Sequence, residues 1–407
     1  MSFTSPPAAN WAGGDFFYKM KGIDNMNIHK LFALICAGMM SVGMTGCGAE
    51  KGPVTYAPTS ENVKALGRTM LTDDDMLWLA FSGSGAEFTF NGTKAEVVIA
   101  GDDNAEKPNN EDNQARIAIY VNGERVVDDM IDHAEETYTV FESETPAECD
   151  VKIVKLSETA NSTCAVKSVT VKAEEGIKPA EKKTHFIEFV GDSITCGYGV
   201  DDEVKEHHFS TKTEDVTKTY AYKTAEKLDA DYSMVSISGY GIISGYSDGK
   251  KKVAEQQLPK YYDKLGNSYG TFGGKRVSGQ AWDFTGYTPD AIVVNLGTND
   301  ASYTKNKEDR VQDYVDSYVE FLKKLRTNNP DAQIFCTLGI MGQDLYPAVE
   351  QAVQNYTEET GDTKVTAMAF DIQSQSDGYA ADWHPTEATH EKASEKLVSE
   401  IKSVMGW

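Results

Sequence analysis

Apolar residues recur at two different spacings along this chain, and the change falls between residues 173 and 183. Before it, short apolar and β-branched runs at 77–81, 86–90, 95–99, 116–121, 125–127, 138–141, 151–156 and 166–171 follow one another closely. Asn91-Gly92 and Asn122-Gly123 lie between such runs, and an Asn-Gly pair flanked by β-type residues is a strong hairpin signal. The runs at 151–156 and 166–171 alternate apolar and polar positions, the pattern of half-buried strands. Closely spaced antiparallel strands without helices imply a β-sandwich of jelly-roll type over 63–175. Residues 102–113 interrupt it with acidic and Asn-rich positions and read as an exposed loop.

After the charged, Gly- and Pro-bearing junction at 173–183, strand and helix patterns alternate. Strands are expected at 186–190, 233–237, 291–296, 334–338 and 366–370. Between and after them, helices are expected at 220–228 and 387–404. A further helix carries Val311, Tyr314, Val315, Tyr318, Val319, Leu322 and Leu325 on one face. The second part, 184–407, is therefore expected to be an α/β domain with a parallel sheet covered by helices on both sides. Residues 244–283 show no periodicity and are rich in Gly, Tyr and Lys; a loop of that length in a compact domain is often functional.

Several pieces of chemistry fall where these strands end. The apolar run 186–190 stops on Gly191-Asp192-Ser193, which sets a serine hydroxyl at the C-terminal edge of a sheet. Ester hydrolysis at serine also needs a base and donors for the oxyanion. His384 stands in Asp382-Trp383-His384-Pro385, in a loop just before the last helix, whose first turn tolerates Pro385. Gly239 follows the second strand, where the missing side chain lets a main-chain N–H approach a substrate. Asn299, in Gly297-Thr298-Asn299-Asp300, follows the third and offers a side-chain amide. Taken singly these are a common turn, a helix cap and a capped helix start; together, in this order, they outline one site.

The residues carry a family resemblance. Gly191-Asp192-Ser193, Gly239, Gly297-Thr298-Asn299-Asp300 and the His384 block resemble the SGNH (GDSL-type) hydrolases. With the β-rich part in front, including the run 116–125, the chain resembles the two-domain acetyl esterases of carbohydrate esterase family 2. The resemblance implies a flavodoxin-like hydrolase domain with Ser193 as nucleophile and His384 as base. It also implies an oxyanion hole from the Ser193 N–H, the Gly239 N–H and the Asn299 side chain. The implied activity is removal of O-acetyl groups from plant polysaccharides such as xylan and mannan, with no metal or organic cofactor. One departure is plain: the superfamily pattern is Asp-x-x-His, whereas Ala381 stands three before His384 and Asp382 two before it. Either Asp382 reaches the imidazole, or a main-chain carbonyl orients it and the site is a dyad. Trp383, Tyr240, Tyr198 and Trp282 lie near the catalytic loops as aromatics able to stack on a sugar.

Charge and composition narrow the alternatives. A formal charge of −24 on 407 residues argues against a nucleic-acid partner, which needs a dense basic face. His207-His208 reads as exposed loop rather than as a metal site, because neighbouring side chains in an extended run point to opposite faces. Cys149, Cys164, Cys196 and Cys336 form no Cys-x-x-Cys; Cys149 and Cys164, which flank an expected strand, read as free, buried thiols, with an oxidised pair as the alternative. The rival readings are an SGNH lipase or thioesterase, a peptidoglycan O-acetyl esterase, and a non-catalytic glycan-binding protein.

The N-terminal part speaks of export. Met26-Asn27-Ile28-His29-Lys30 precedes an apolar run at 31–44 and then Thr45-Gly46-Cys47. A basic start, a short apolar core and small residues before a cut site make a secretory signal. The cysteine after Thr-Gly resembles a bacterial lipobox, with Cys47 as the lipidated residue. Residues 1–47 thus read as an extension plus signal peptide of an extracytoplasmic lipoprotein, and 48–62 as a tether.

Overall fold

The computed structural model describes residues 52–407. The apolar run and Cys47 lie outside the described residues. The first part is an antiparallel sheet. Its strands are β1 Val54–Tyr56, β2 Lys64–Leu66, β3 Thr69–Leu71, β4 Leu77–Leu79, β5 Gly85–Gly101, β6 Ala115–Val121, β7 Glu124–Ile131, β8 Glu135–Lys155 and β9 Cys164–Pro179. The order is β3-β4-β9-β5-β8-β6-β7, with β1 added to β9 and β2 to β5. Both Asn-Gly pairs lie in this sheet, and they act differently. Asn122-Gly123 makes the tight turn between β6 and β7, with both residues at positive φ. Asn91-Gly92 lies inside β5, where the ladders to β8 and β9 shift register around Gly92. Such bulges bend a strand and raise its twist, so β5 and β8 run on as single strands of 17 and 21 residues instead of the shorter strands the pattern suggests. Phe88, Val97, Ile99, Ile117, Ile119, Ile153 and Val166 fill the interior of this part with no exposure to solvent.

Three further expectations need correction here. Residues 54–56, expected within the tether, form β1 and pair with 169–171 of β9; three β-prone residues are too short a run to announce a strand. The charged junction is strand as far as Pro179. Residues 102–113 are only partly exposed, since Asp102 is buried and accepts from the Thr163 N–H at 2.7 Å and the Asn104 N–H at 2.9 Å.

The second part has a parallel sheet. Its strands β10 His185–Gly191, β11 Ala230–Ser236, β12 Ala291–Asn295, β13 Gln333–Ile340 and β14 Val365–Ile372 take the order β11-β10-β12-β13-β14. The helices are α1 Ser193–Cys196, α2 Tyr220–Lys227, α3 Thr298–Thr304, α4 Glu308–Asn328, α5 Tyr346–Thr360 and α6 Glu387–Met405. The apolar faces of α4 and α5 pack on one side of the sheet through Tyr318, Leu322, Val349 and Ala352. Those of α2 and α6 pack on the other through Tyr220, Ala221, Leu397 and Ile401. Strand order reverses between β10 and β12, and open α/β sheets bind ligands outside the strand ends at such a point.

Residues 244–283 lack the regular elements of their surroundings but do not float. Leu265, Phe272 and Val277 from this segment bury against Trp78, Ala80, Ala100 and Ala165 of the first part, with the Trp78 and Phe272 rings 5.5 Å apart. The two parts also share charge. Arg68, fully buried, donates to Glu188 of β10 at 3.0 Å and lies over the Tyr262 ring at 4.7 Å.

Candidate active site

The corner after β10 is built by close packing. A side chain at Gly191 would bring its Cβ within 2.1 Å of Thr195 Oγ1, so glycine is required there. Asp192 caps α1, its Oδ1 accepting the Ile194 N–H at 3.1 Å. Ser193 is thereby the first residue of the helix, and its Oγ lies 2.9 Å from His384 Nε2. Both residues are buried.

The tautomer follows from the other ring nitrogen. His384 Nδ1 lies 3.1 Å from the Ala381 carbonyl, which can only accept. Nδ1 therefore carries the proton, and Nε2 faces the serine with a free lone pair. Burial holds the imidazole down to about 4, against the Ala381 carbonyl and the Asp382 charge, which act to raise it.

The Asp382 carboxylate makes its hydrogen bonds away from the ring. Its Oδ2 accepts from the Tyr198 hydroxyl at 2.5 Å and its Oδ1 meets His208 Nδ1 at 2.9 Å. Burial would raise this carboxyl, but those two partners outweigh it and the group titrates below its usual range. The backbone explains the arrangement. Asp382 and Trp383 have φ of 49° and 64°, so two successive left-handed residues carry the chain into His384 and swing the aspartate aside. The Ala381 and Asp382 N–H groups are tied to the carbonyls of Asp202 and His207.

The expected oxyanion donors come from the two neighbouring strand ends. Gly239 has φ +80°, and a Cβ there would meet nothing within 4 Å, so its face opens onto free space. Among the described residues its N–H has no hydrogen-bond partner. Asn299, near the start of α3, directs Nδ2 between Asp192 Oδ2 at 3.1 Å and the Tyr240 carbonyl at 2.8 Å. Asp300 does not cap a helix; buried, it accepts the N–H groups of Ile242, Ile243 and Ser244 and pins the turn after Gly239.

The aromatic candidates divide. Tyr240 is buried in the core with its hydroxyl accepting from Asn267 Nδ2, so its ring presents no face to a substrate. Tyr198 stacks on His384, centroids 3.9 Å apart and planes at 17°. Trp282 packs on Arg68 and Tyr287. Trp383 alone offers a surface: it is 50 % exposed, with Lys205 Nζ 4.2 Å above the ring centroid. His207 is bound to Asp202, whereas the reach of His208 to Asp382 was not legible from their separation in the chain. The role of Tyr198 had one available signal, its place between two glycines five residues after Ser193.

A serine at a strand end, a histidine whose tautomer leaves a base facing it, and an open glycine beside an amide define a serine hydrolase site on a flavodoxin-like sheet. Residues 189–392 match the GDSL-like Lipase/Acylhydrolase family, to which this chain belongs. Residues 65–180 match the Carbohydrate esterase 2 N-terminal region, which gives it the two-part build of carbohydrate esterase family 2. It is 37% identical over 234 residues to the cellulase/esterase CelE of Acetivibrio thermocellus, an alignment covering 56% of this chain and 26% of that protein. The chain thus spans about a quarter of that relative's length. It is 25% identical over 357 residues to an acetylxylan esterase / glucomannan deacetylase of Cellvibrio japonicus, covering 87% of this chain and 92% of the other. The structure of a family two carbohydrate esterase from Clostridium thermocellum in complex with cellohexaose superposes with a TM-score of 0.71 at 28% identity. That likeness covers 85% of this chain and 99% of the other.

Proposed function

We propose that this protein is a serine esterase that removes O-acetyl groups from plant cell-wall polysaccharides or their oligosaccharides. The observation that carries the reading is the 2.9 Å contact between Ser193 Oγ and a His384 Nε2 left unprotonated by its partner nitrogen. Ser193 attacks the acetyl carbonyl carbon as its hydroxyl proton passes to Nε2. The oxyanion is met by the N–H groups of Ser193 and Gly239, and by the Asn299 amide once its longer, 3.1 Å bond to Asp192 is given up. As the ester C–O bond breaks, Nε2 returns the proton to the departing sugar hydroxyl and leaves an acetyl-serine. Water, deprotonated by the same nitrogen, then releases acetate. Ser193 and His384 act as a dyad, and the Ala381 carbonyl takes the orienting task of a third member.

The substrate class is supported by the relatives: one is named an acetylxylan esterase / glucomannan deacetylase, another was solved with cellohexaose. The half-exposed Trp383, next to His384 in the chain, supplies an apolar face for a sugar ring. The export signal and Cys47 support an extracytoplasmic enzyme held to the membrane by a lipid. No helix among the described residues is long and apolar enough to cross a membrane.

Acetate release from acetylated xylan and glucomannan by the wild type and by Ser193→Ala tests the reading. Serine-dependent release is expected from at least one polymer. A preference for octanoyl over acetyl esters would instead make the protein a lipase or thioesterase, and sugar affinity without turnover would make it a binding protein.

A further inference from the structure

The Gly239 N–H stands in a loop clamped on both sides. On one side Asn299 Nδ2 donates to the Tyr240 carbonyl at 2.8 Å. On the other, the Ser238 N–H donates to Oε2 of Glu158 at 2.7 Å. Glu158 does not belong to the hydrolase part; it lies three residues beyond the end of β8, in the segment that leaves the antiparallel sheet. It is buried, and its own main-chain N–H is held by Glu214 Oε2 at 2.8 Å. The Cys196 thiol, at the end of the short helix begun by Ser193, lies with both carboxylates inside a group whose nearest atoms are within 4.8 Å. The ammonium of Lys155, from the end of β8, donates to the carbonyls of Ser157 and Glu158 at 2.6 and 2.7 Å and supplies a counter-charge. Among the described residues Glu214 Oε1 has no hydrogen-bond partner.

Burying a carboxylate is costly unless it is paired and hydrogen-bonded. Here the carboxylate of Glu158 reaches across the boundary between the two parts and ends on the residue before Gly239. We propose that Glu158 is a positioning residue for the oxyanion hole, by which the antiparallel-sheet part sets the direction of the Gly239 N–H. It touches neither substrate nor Ser193 and acts through the Ser238 peptide. The inference rests on the assignment of Gly239 as an oxyanion donor made above.

Two substitutions separate geometry from charge. Burial pushes the Glu158 carboxyl up, so Glu158→Gln keeps an acceptor oxygen in place without an ionisable group, while Glu158→Asp keeps the carboxyl and withdraws the acceptor by one methylene. Positioning predicts that the glutamine variant retains kcat within about threefold, while the aspartate variant loses about tenfold or more at little change in KM, a fraction of the 10²–10³ lost with a whole donor. Where Glu158→Asp does not fold, Glu158→Ala, which also removes the acceptor, takes its place. Modification of Ser193 by a fluorophosphonate, in which the serine proton goes to His384 as fluoride leaves, is followed in parallel with acetate release and thermal unfolding. The same order in the modification rates supports the positioning role even where acetyl esters are not the substrate, a failure that would count against the proposed function alone. The inference is overturned if the acceptor-withdrawn variant reacts at the wild-type rate, if glutamine loses as much as aspartate, or if the variants differ in melting temperature only.

Discussion

Tyr198 lies flat on His384, its ring centroid 3.9 Å from that of the imidazole, and its hydroxyl ends on Asp382. The ring covers one face of the base, and burial of the imidazole as a whole holds it down to about 4. Because only the neutral ring can accept the serine proton, activity is lost as pH falls through that value. The acid limb of kcat/KM is therefore expected near pH 4 in the wild type. Tyr198→Ala lets water reach the ring and moves the limb upward, toward the ordinary histidine value of about 6.5. Tyr198→Phe keeps the stack and is expected to leave the limb within about half a unit. The measurement is kcat/KM across the acid range for the three proteins.

Asp382→Asn should be a mild change. In a true triad the equivalent substitution costs about 10⁴ in kcat through the wrong tautomer. Here Nδ1 is held by the Ala381 carbonyl, so kcat is expected to fall by less than about tenfold. Steady-state hydrolysis of an acetyl ester decides it.

Asn299→Ala removes a buried amide beside the Ser193 corner and, if that amide turns to the oxyanion, is expected to lower kcat by about 10²–10³ with little effect on KM. Since the same amide also ties Asp192 to Tyr240, circular dichroism and melting temperature must accompany the kinetics. A variant that melts normally yet retains kcat removes Asn299 from the oxyanion hole.

Glu188→Gln tests the bond between the two parts of the molecule. Both partners of the Arg68–Glu188 pair are fully buried. Removing one charge strands the other, which costs about 3–5 kcal/mol. A fall of that size in urea stability is expected, and a hydrolase part expressed from residue 184 onward is expected to be insoluble.

The parts of this structure legible in the sequence were those with a period. Alternation in 166–171 and the single apolar face of α4 announce their elements because each residue is fixed by its immediate neighbours. The serine corner was visible because glycine at 191 is forced by packing against Thr195, four residues away. What escaped is non-local. β1 is too short to form a pattern, and the unbroken course of β8 depends on its ladder with β5. Glu158 and Glu214, 56 residues apart, are single acids in irregular segments, and nothing nearby in sequence marks either as buried. The Asp-x-His spacing was readable as a departure from the family pattern. That Asp382 turns toward Tyr198 and His208 depends on two positive φ angles that no composition rule supplies.

Those two angles have a consequence for conditions of use. An imidazole steered by an aspartate relies on a neighbour that can pick up a proton or be shielded by salt. The imidazole of His384 is steered by an amide oxygen three residues back along the same chain, which has neither charge nor titration. Its alignment should therefore persist in brine and in mildly acidic surroundings.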